Sequence, residues 1–380
     1  MSHKVASFIL ILLLSLSCTN HSSKEKAFQD LIETTIQEHP DAIGIMVHVE
    51  APKQAISWSG AVGYSNWERT DSIEYDQPAL IASITKNYVA VSILRLIEQG
   101  HLELYQSIDN LLLEKTSTHM KQNGFEPDKI RVAHLLAHKS GIPGHTRSQE
   151  FQNKLKTDPL YRWTRDEQIN LAIIQGPRNP PGTIFYYTDT NYLLLTEIIE
   201  TITQKEFQEA IKQLVGYEKF GLKQTWFYSL EAFPDGTKPL IHQYVPTKNE
   251  HSYELDNSVD LYGGGGIAAT TRDLGKYAYH VFQGNVFDDE RTLDLMFTDV
   301  KVPEGDPVED YIGEIPCEYF LGIQDCGFDG LSSYWHAGYW GTIFRYFPDL
   351  EASVVLYVVN ESEFANIELN LMKQITAVLK

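Results

Sequence analysis

Cysteine is scarce in this chain, with three in 380 residues, which excludes a disulfide-dense scaffold. One of them, Cys18, lies near the start. Cys317 and Cys326 are left either to close a small loop as a disulfide or to stand as two free thiols. There is no basic block either. Thirty-one Lys and Arg against 51 Asp and Glu give a net charge of −20, which argues against a nucleic-acid partner and, more weakly, against a polyanionic substrate. No apolar run reaches the ~20 residues of a comfortable membrane span. The glycine run Gly263-Gly264-Gly265-Gly266 is not followed by Gly-Lys-Ser/Thr. It therefore reads as a close backbone approach near a site and not as a phosphate loop. His134 and His138 have the spacing of zinc ligands, but Leu135 stands where a His-Glu-x-x-His protease carries its glutamate. They read as core and capping histidines, and no metal site is expected. Internal repeats and low-complexity segments are also missing.

The composition, 43% hydrophobic and 22% charged, is that of a soluble globular protein long enough for a substantial core. The N-terminus departs from it. His3-Lys4 precedes the apolar run from Val5 to Leu16, which ends in Ser15-Leu16-Ser17-Cys18. This is the layout of a secretory signal over residues 1–17. A small residue directly before Cys18 resembles a bacterial lipobox, which implies lipidation of Cys18 and a periplasmic or cell-surface lipoprotein. Leu16 and Ser15 are not the residues usual at those two positions. Residues 18–26 then read as a polar tether.

Along the remaining chain, Ala27 to His39 has helical spacing, and Ile43 to Val49 and Ala55 to Tyr64 alternate as paired strands. A mostly apolar run, Val89 to Ile97, predicts a buried helix that begins near Ser83 and stops at Gly100. A turn and short helix are expected over Gly100 to Leu113, and a helix over Ile130 to Gly141. Thr164 to Leu214 reads as mostly helical, interrupted by Asn179-Pro180-Pro181-Gly182-Thr183. Thr271 is the expected cap of a helix from Arg272 to Phe282. Strands are expected at Phe320 to Ile323, Gly341 to Phe347 and Ala352 to Val359, followed by an amphipathic helix from Phe364 to Leu379. The chain thus divides into a sheet subdomain, about 27–105 and 255–380, and a helical insertion, about 106–254, within one catalytic domain over 27–380.

Three short stretches carry chemistry. In Ser83-Ile84-Thr85-Lys86, a hydroxyl and an amine lie three residues apart on one helical face. A serine needs a base within hydrogen-bond reach, and a desolvated amine can be that base or tune one. Taken alone, such a pair is far more often a helix cap beside a solvated lysine. The second stretch is Tyr186-Tyr187-Thr188-Asp189-Thr190-Asn191-Tyr192, and the third is Trp335-His336-Ala337-Gly338-Tyr339-Trp340-Gly341. Together they resemble the penicillin-recognising serine hydrolases: class C β-lactamases, D,D-carboxypeptidases, D-aminopeptidases and related esterases. Supporting phrases follow in the same order, at His134 to Gly141, Pro181-Gly182-Thr183 and Gly264 to Leu274. The resemblance runs from about residue 27 to the end.

The resemblance implies an α/β (α+β) fold in which an antiparallel sheet flanked by helices packs beside an all-helical subdomain, with the site between them and no cofactor. It implies that Ser83 forms an acyl-enzyme, that Lys86 holds or accepts its proton, and that Tyr187 relays it to the leaving group. The backbone N–H groups of Ser83 and Tyr339 would make the oxyanion hole, with Asp189, His336 and Gly338 lining the substrate site. Two departures matter. Asp189 stands where many members carry Asn, and a carboxylate there favours charged Lys86 and shifts weight to Tyr187 as base. His336-Ala337-Gly338 stands where β-lactamases usually have Lys-Thr-Gly, replacing a permanent cation by a titratable imidazole, which weighs against efficient β-lactam hydrolysis. The expected activity is hydrolysis of a small amide or ester, with D,D-peptidase-like or D-amino-acid peptide substrates first. A carboxylesterase or class C-like β-lactamase is the alternative. A penicillin- or peptidoglycan-fragment-binding sensor without turnover is the rival of another class.

Overall fold

Among the described residues the N-terminal hairpin forms one edge of its sheet, which it completes with the other end of the chain. In the computed structural model, which describes residues 23–300 and 317–380, β1 (Gly44–Ala51) and β2 (Ile56–Gly63) are joined by the single turn Pro52–Gln54. Short strands follow: β3 (Pro78–Leu80), β4 (Thr225–Phe227), β5 (Tyr244–Val245), β6 (Glu250–His251) and β7 (Ile267–Thr270). The C-terminal part supplies β8 (Glu318–Tyr319), β9 (Gln324–Phe328), β10 (Leu331–Gly338), β11 (Thr342–Phe347) and β12 (Ala352–Val358). The main sheet is antiparallel, in the order β2-β1-β12-β11-β10-β9-β8. β1 pairs with β12 in a register that sets Val47 opposite Leu356. A second sheet, β3-β7-β4, lies beside it.

Both faces of the main sheet are covered, which explains why β1 and β12 are apolar at nearly every position. Ile45, Val47 and Val49, with Val354, Leu356 and Val358, pack against Phe28 and Ile32 of the helix over 23–38 and against Ile367, Leu371 and Ile375 of the helix Phe364–Leu379. The alternate residues Met46, Val355 and Tyr357 join the larger core formed with the helices Thr85–Glu98 and Thr271–Phe282. Within that core Tyr88 stacks on Tyr277 at 3.6 Å between ring centroids. The α-rich stretch holds Glu114–Gln122, Val132–Leu136, Gln149–Thr157, Arg165–Ile173, Asp189–Thr203 and Phe207–Val215.

Several boundaries differ from the expectations. Residues 23–26 already belong to the first helix, so the last part of the proposed tether is helical. The signal segment 1–17 and Cys18 lie outside the described residues. Gly100 to Leu113 forms turns, and the helix comes next, at Glu114–Gln122. The helix predicted over Ile130 to Gly141 is confined to Val132–Leu136, and the chain beyond it turns through His138 and Gly141, both at positive φ. Thr270 caps the helix that Thr271 was expected to cap, its side chain accepting from the Asp273 N–H at 3.2 Å. Thr270 ends β7 in an extended conformation, which an N-cap requires. Phe320 to Ile323 is the turn between β8 and β9 and not a strand. Gly322 there has φ of 74°, and a Cβ on it would meet the Ala90 side chain at 2.6 Å, so only glycine lets the turn rest on the buried helix. Cys317 and Cys326 are joined as a disulfide across this turn.

Candidate active site

Ser83 occupies the middle of a single 3-10 turn, Ala82–Ile84, that runs directly into the helix Thr85–Glu98. Ala82 has φ of 46°, a left-handed conformation that costs a residue with a side chain about 1 kcal/mol. The turn is held from two sides. The Ile81 N–H donates to the Ile267 carbonyl at 3.0 Å, which ties it to β7. Gly338, the last residue of β10, presses on it from the main sheet, and a Cβ on Gly338 would come 2.2 Å from the Ile81 carbonyl oxygen and 2.4 Å from Thr342 Oγ1. Glycine at 338 thus brings Tyr339 alongside Ser83.

Lys86 is fully buried and its three protons are shared among close acceptors. Nζ donates to Ser83 Oγ at 2.9 Å and to the Gly264 carbonyl at 2.6 Å, and it pairs with Asp189 Oδ1 at 2.6 Å. Burial disfavours the ammonium, but Asp189, Tyr187 and Asp260 outweigh it and raise the Lys86 pKa far above its ordinary value. Asp189 opens the helix Asp189–Thr203, one residue after its N-cap Thr188. Burial pushes its carboxyl up, yet Lys86 more than compensates and holds it below the usual range. The carboxylate expected from the sequence beside Lys86 is therefore in contact with it.

Tyr187 lies against Lys86, whose Nζ is 4.9 Å from its ring centroid, and both Lys86 and Ser83 favour its phenolate. Burial raises its phenol, Lys86 lowers it, Asp189 raises it again, and the net direction is up. The resting pair is thus a lysine cation and a neutral phenol.

His336 sits on β10 with Nδ1 2.8 Å from the Ala337 carbonyl and Nε2 3.2 Å from the Tyr319 hydroxyl. Because a carbonyl only accepts, Nδ1 carries the proton and Nε2 accepts from Tyr319. Burial, then Lys86, lowers its pKa to about 3, so the imidazole is neutral at physiological pH and does not replace a cation.

Ser83, Lys86, Tyr187, Asp189, His336, Gly338 and Tyr339 therefore meet in one place, although they come from stretches separated by up to some 250 residues of sequence. Sequence reasoning missed others. His138, read as a core histidine, is buried, with its ring centroid 4.3 Å from that of Tyr187. Its Nδ1 accepts from the Thr188 N–H at 3.2 Å. His134 is the capping histidine expected, accepting from the Arg131 N–H at 3.1 Å. Tyr319 supports His336 and packs edge-on against Tyr187 at 5.9 Å. Tyr192, one turn into its helix, reaches the Leu136 carbonyl at 2.9 Å. Asp260 stands beside the glycine run. No group of residues able to hold a metal ion exists among the described residues.

Two cavities share Ser83, Tyr187 and Tyr339 and are otherwise lined differently. One, about 410 Å³, is walled by Phe185, Tyr319, Trp335, His336 and Phe364, with Glu361 and Gln324 at its edge. The other, about 370 Å³, takes Asp189, Glu250, Asp260, Arg147 and Lys248 together with Leu155 and Trp340. A bond held at Ser83 can extend one arm into each.

Comparison with known proteins agrees with this geometry. The family model described as Beta-lactamase matches residues 32–371. Penicillin-binding protein 4* of Bacillus subtilis (strain 168) is 22% identical over 299 residues, covering 76% of this chain and 62% of that protein. The chain spans between 34% and 62% of the length of the first curated relatives it matches. Among solved structures, a D-stereospecific amidohydrolase from Streptomyces sp. superposes with a TM-score of 0.71 at 20% identity, over 92% of this chain and 98% of its own. The D-amino acid amidase from Ochrobactrum anthropi SV3 complexed with D-phenylalanine superposes with a TM-score of 0.75 at 18% identity, over 94% and 99%. At such identities these two structures establish the fold.

Proposed function

The chain belongs to the β-lactamase family, and we propose from that premise that it is a serine hydrolase that cleaves small D-amino-acid amides or peptides through an acyl-enzyme. The observation that carries the reading is the contact of Lys86 Nζ with Ser83 Oγ at 2.9 Å, with the Tyr187 ring centroid 4.9 Å from the same Nζ. Ser83 Oγ attacks the carbonyl carbon, and its proton passes to Tyr187, which must first have shed its own. Lys86 stays charged and stabilises the transient phenolate. Tyr187 then protonates the leaving nitrogen, and the same groups activate water to release the acyl group. The N–H groups of Ser83 and Tyr339 receive the developing oxyanion, each worth about 3 kcal/mol in acyl transfer.

The choice of substrate rests on the aromatic cavity. Among the described residues lining it there is no Lys or Arg, His336 is neutral, and Glu361 is an acidic member of the wall. A terminal carboxylate, whether of a D,D-peptide or a β-lactam, finds no cationic partner on that side. An uncharged amide or ester arm fits it better, in keeping with the named activities of the amidase and amidohydrolase that share the fold. The test is hydrolysis of D- and L-aminoacyl p-nitroanilides and p-nitrophenyl esters by the wild type and Ser83→Ala. Ser83-dependent turnover with D preferred supports the reading. A stable adduct with no turnover of any ester would favour a sensor, and rapid loss of penicillin would favour a β-lactamase.

Export and lipidation at Cys18 are also proposed, on the strength of the sequence alone. The full chain expressed in a bacterial host should partition with membranes, and Cys18→Ser should move it to the soluble exported fraction. Equal partitioning of the two would remove the anchor.

A further inference from the structure

We propose that Asp260 anchors a free ammonium group on the acyl part of the substrate, so that the enzyme selects N-terminally unblocked amino-acid amides. The proposal rests on the acyl-enzyme reading above and deepens it.

Three carboxylates line the charged cavity with Ser83: Asp189, Glu250 and Asp260. Two are engaged within the protein. Asp189 is paired with Lys86 at 2.6 Å, and Glu250 accepts the hydroxyl of Tyr339. Asp260 alone of the three forms no side-chain hydrogen bond or ion pair among the described residues.

Its position is built. Asp260 ends the turn Asn257–Asp260, and its carboxylate lies flat on the glycine run, 2.2 Å from where a Gly265 Cβ would be. A Gly264 Cβ would likewise meet Asp189 Cβ at 2.9 Å. The Gly264-Gly265 backbone thus threads between two carboxylates while its carbonyl takes a proton of Lys86, which gives the glycine run a physical reason. Asp260 also borders a small gap beside Ala82 and Trp340, the residues next in sequence to Ser83 and Tyr339. An ammonium one carbon from the reacting carbonyl would enter the cavity that Asp260 lines together with Ser83.

Electrostatics support the placement. Burial, then the charge of Asp189, raises the Asp260 carboxyl to about 7, against the opposing pull of Lys86. An unneutralised carboxyl in that setting gains more from a substrate cation than an exposed one. The cations of the same cavity are occupied elsewhere. Lys248 lies over the Tyr339 ring at 4.7 Å and Arg147 over that of Tyr186 at 5.0 Å.

The test compares kcat/KM for D-alanine p-nitroanilide and its N-acetyl derivative in the wild type and Asp260→Asn, with p-nitrophenyl acetate as a substrate that has no amine. The wild type should prefer the free amine at least about tenfold, carried mainly by KM, and in Asp260→Asn that ratio should fall to about one. Taking the ratio cancels any change that the substitution makes in Lys86. Should Asp260→Asn fail to fold, Ser83→Ala supplies the same answer by equilibrium binding, with the free amine at least tenfold tighter than the acetylated compound. A wild type that favours the N-acetyl substrate, or a ratio that survives in Asp260→Asn, overturns the proposal. Absence of Ser83-dependent cleavage of p-nitrophenyl acetate overturns the hydrolase reading instead.

Discussion

At the residue scale, the site is decided by one substitution legible in the sequence, Asp189 in place of the customary Asn. The carboxylate pairs with Lys86 and fixes it as a cation, leaving the phenol of Tyr187 above its ordinary value. In the proposed mechanism, deprotonation of that phenol gates the attack. Since burial holds the phenol above its ordinary value, kcat/KM should climb with pH through the neutral range and reach no plateau below the ordinary range of a phenol. Asp189→Asn removes a charge that raises both Tyr187 and Lys86, so both values fall and the acid limb should move to lower pH. A pH–rate profile displaced by less than about half a unit would refute this role of Asp189. The sequence identified Ser83, Lys86, Tyr187 and His336 because each sits in a short ordered motif. It did not identify Asp260 or Tyr319, which only the fold brings to the cavities around Ser83. Nor did it show that His336 is held neutral, because burial beside Lys86 is a tertiary fact.

At the scale of elements, the strand β10 and the turn Ala82–Ile84 are pressed together through Gly338, and this contact aligns Tyr339 with Ser83. Gly338→Ala should drive a methyl group into the Ile81 carbonyl. We expect a loss of about 1–3 kcal/mol of stability from overpacking and about 100-fold in kcat/KM from displacement of the oxyanion donor. Thermal unfolding and kinetics of the same preparation separate the two effects. A fully active Gly338→Ala would show that the contact does not set the site. Long periodic elements were readable from the sequence, including the helix Phe364–Leu379, whose ends agree with the expectation, and the hairpin β1–β2. Short ones were not. The stretch Ile130 to Gly141 is apolar enough to be a helix, but His138 and Gly141 adopt positive φ to pass behind Tyr187, and tertiary contacts override the local pattern. Phe320 to Ile323 failed for the same reason, its apolar residues being buried by a turn.

At the scale of the whole molecule, the sheet that carries His336 and Gly338 is closed only when β1 meets β12, so the site depends on a contact between the two ends of the chain. The helix Phe364–Leu379 covers that seam. Leu371 is buried between it and the sheet, and Leu371→Ala should cost about 2–5 kcal/mol, read as a lowered urea midpoint with kcat/KM preserved below the transition. A midpoint within experimental error of wild type would mean that the helix is not needed to hold the sheet.

The central claim, that Ser83 becomes acylated, is tested most directly by the intact mass of the protein lacking residues 1–17, acid-quenched during turnover of a p-nitrophenyl ester, alongside Ser83→Ala. One acyl group should add to the wild type and none to Ser83→Ala, which should also lose turnover. Turnover that persists in Ser83→Ala, or proceeds in the wild type without any acyl mass, would contradict it.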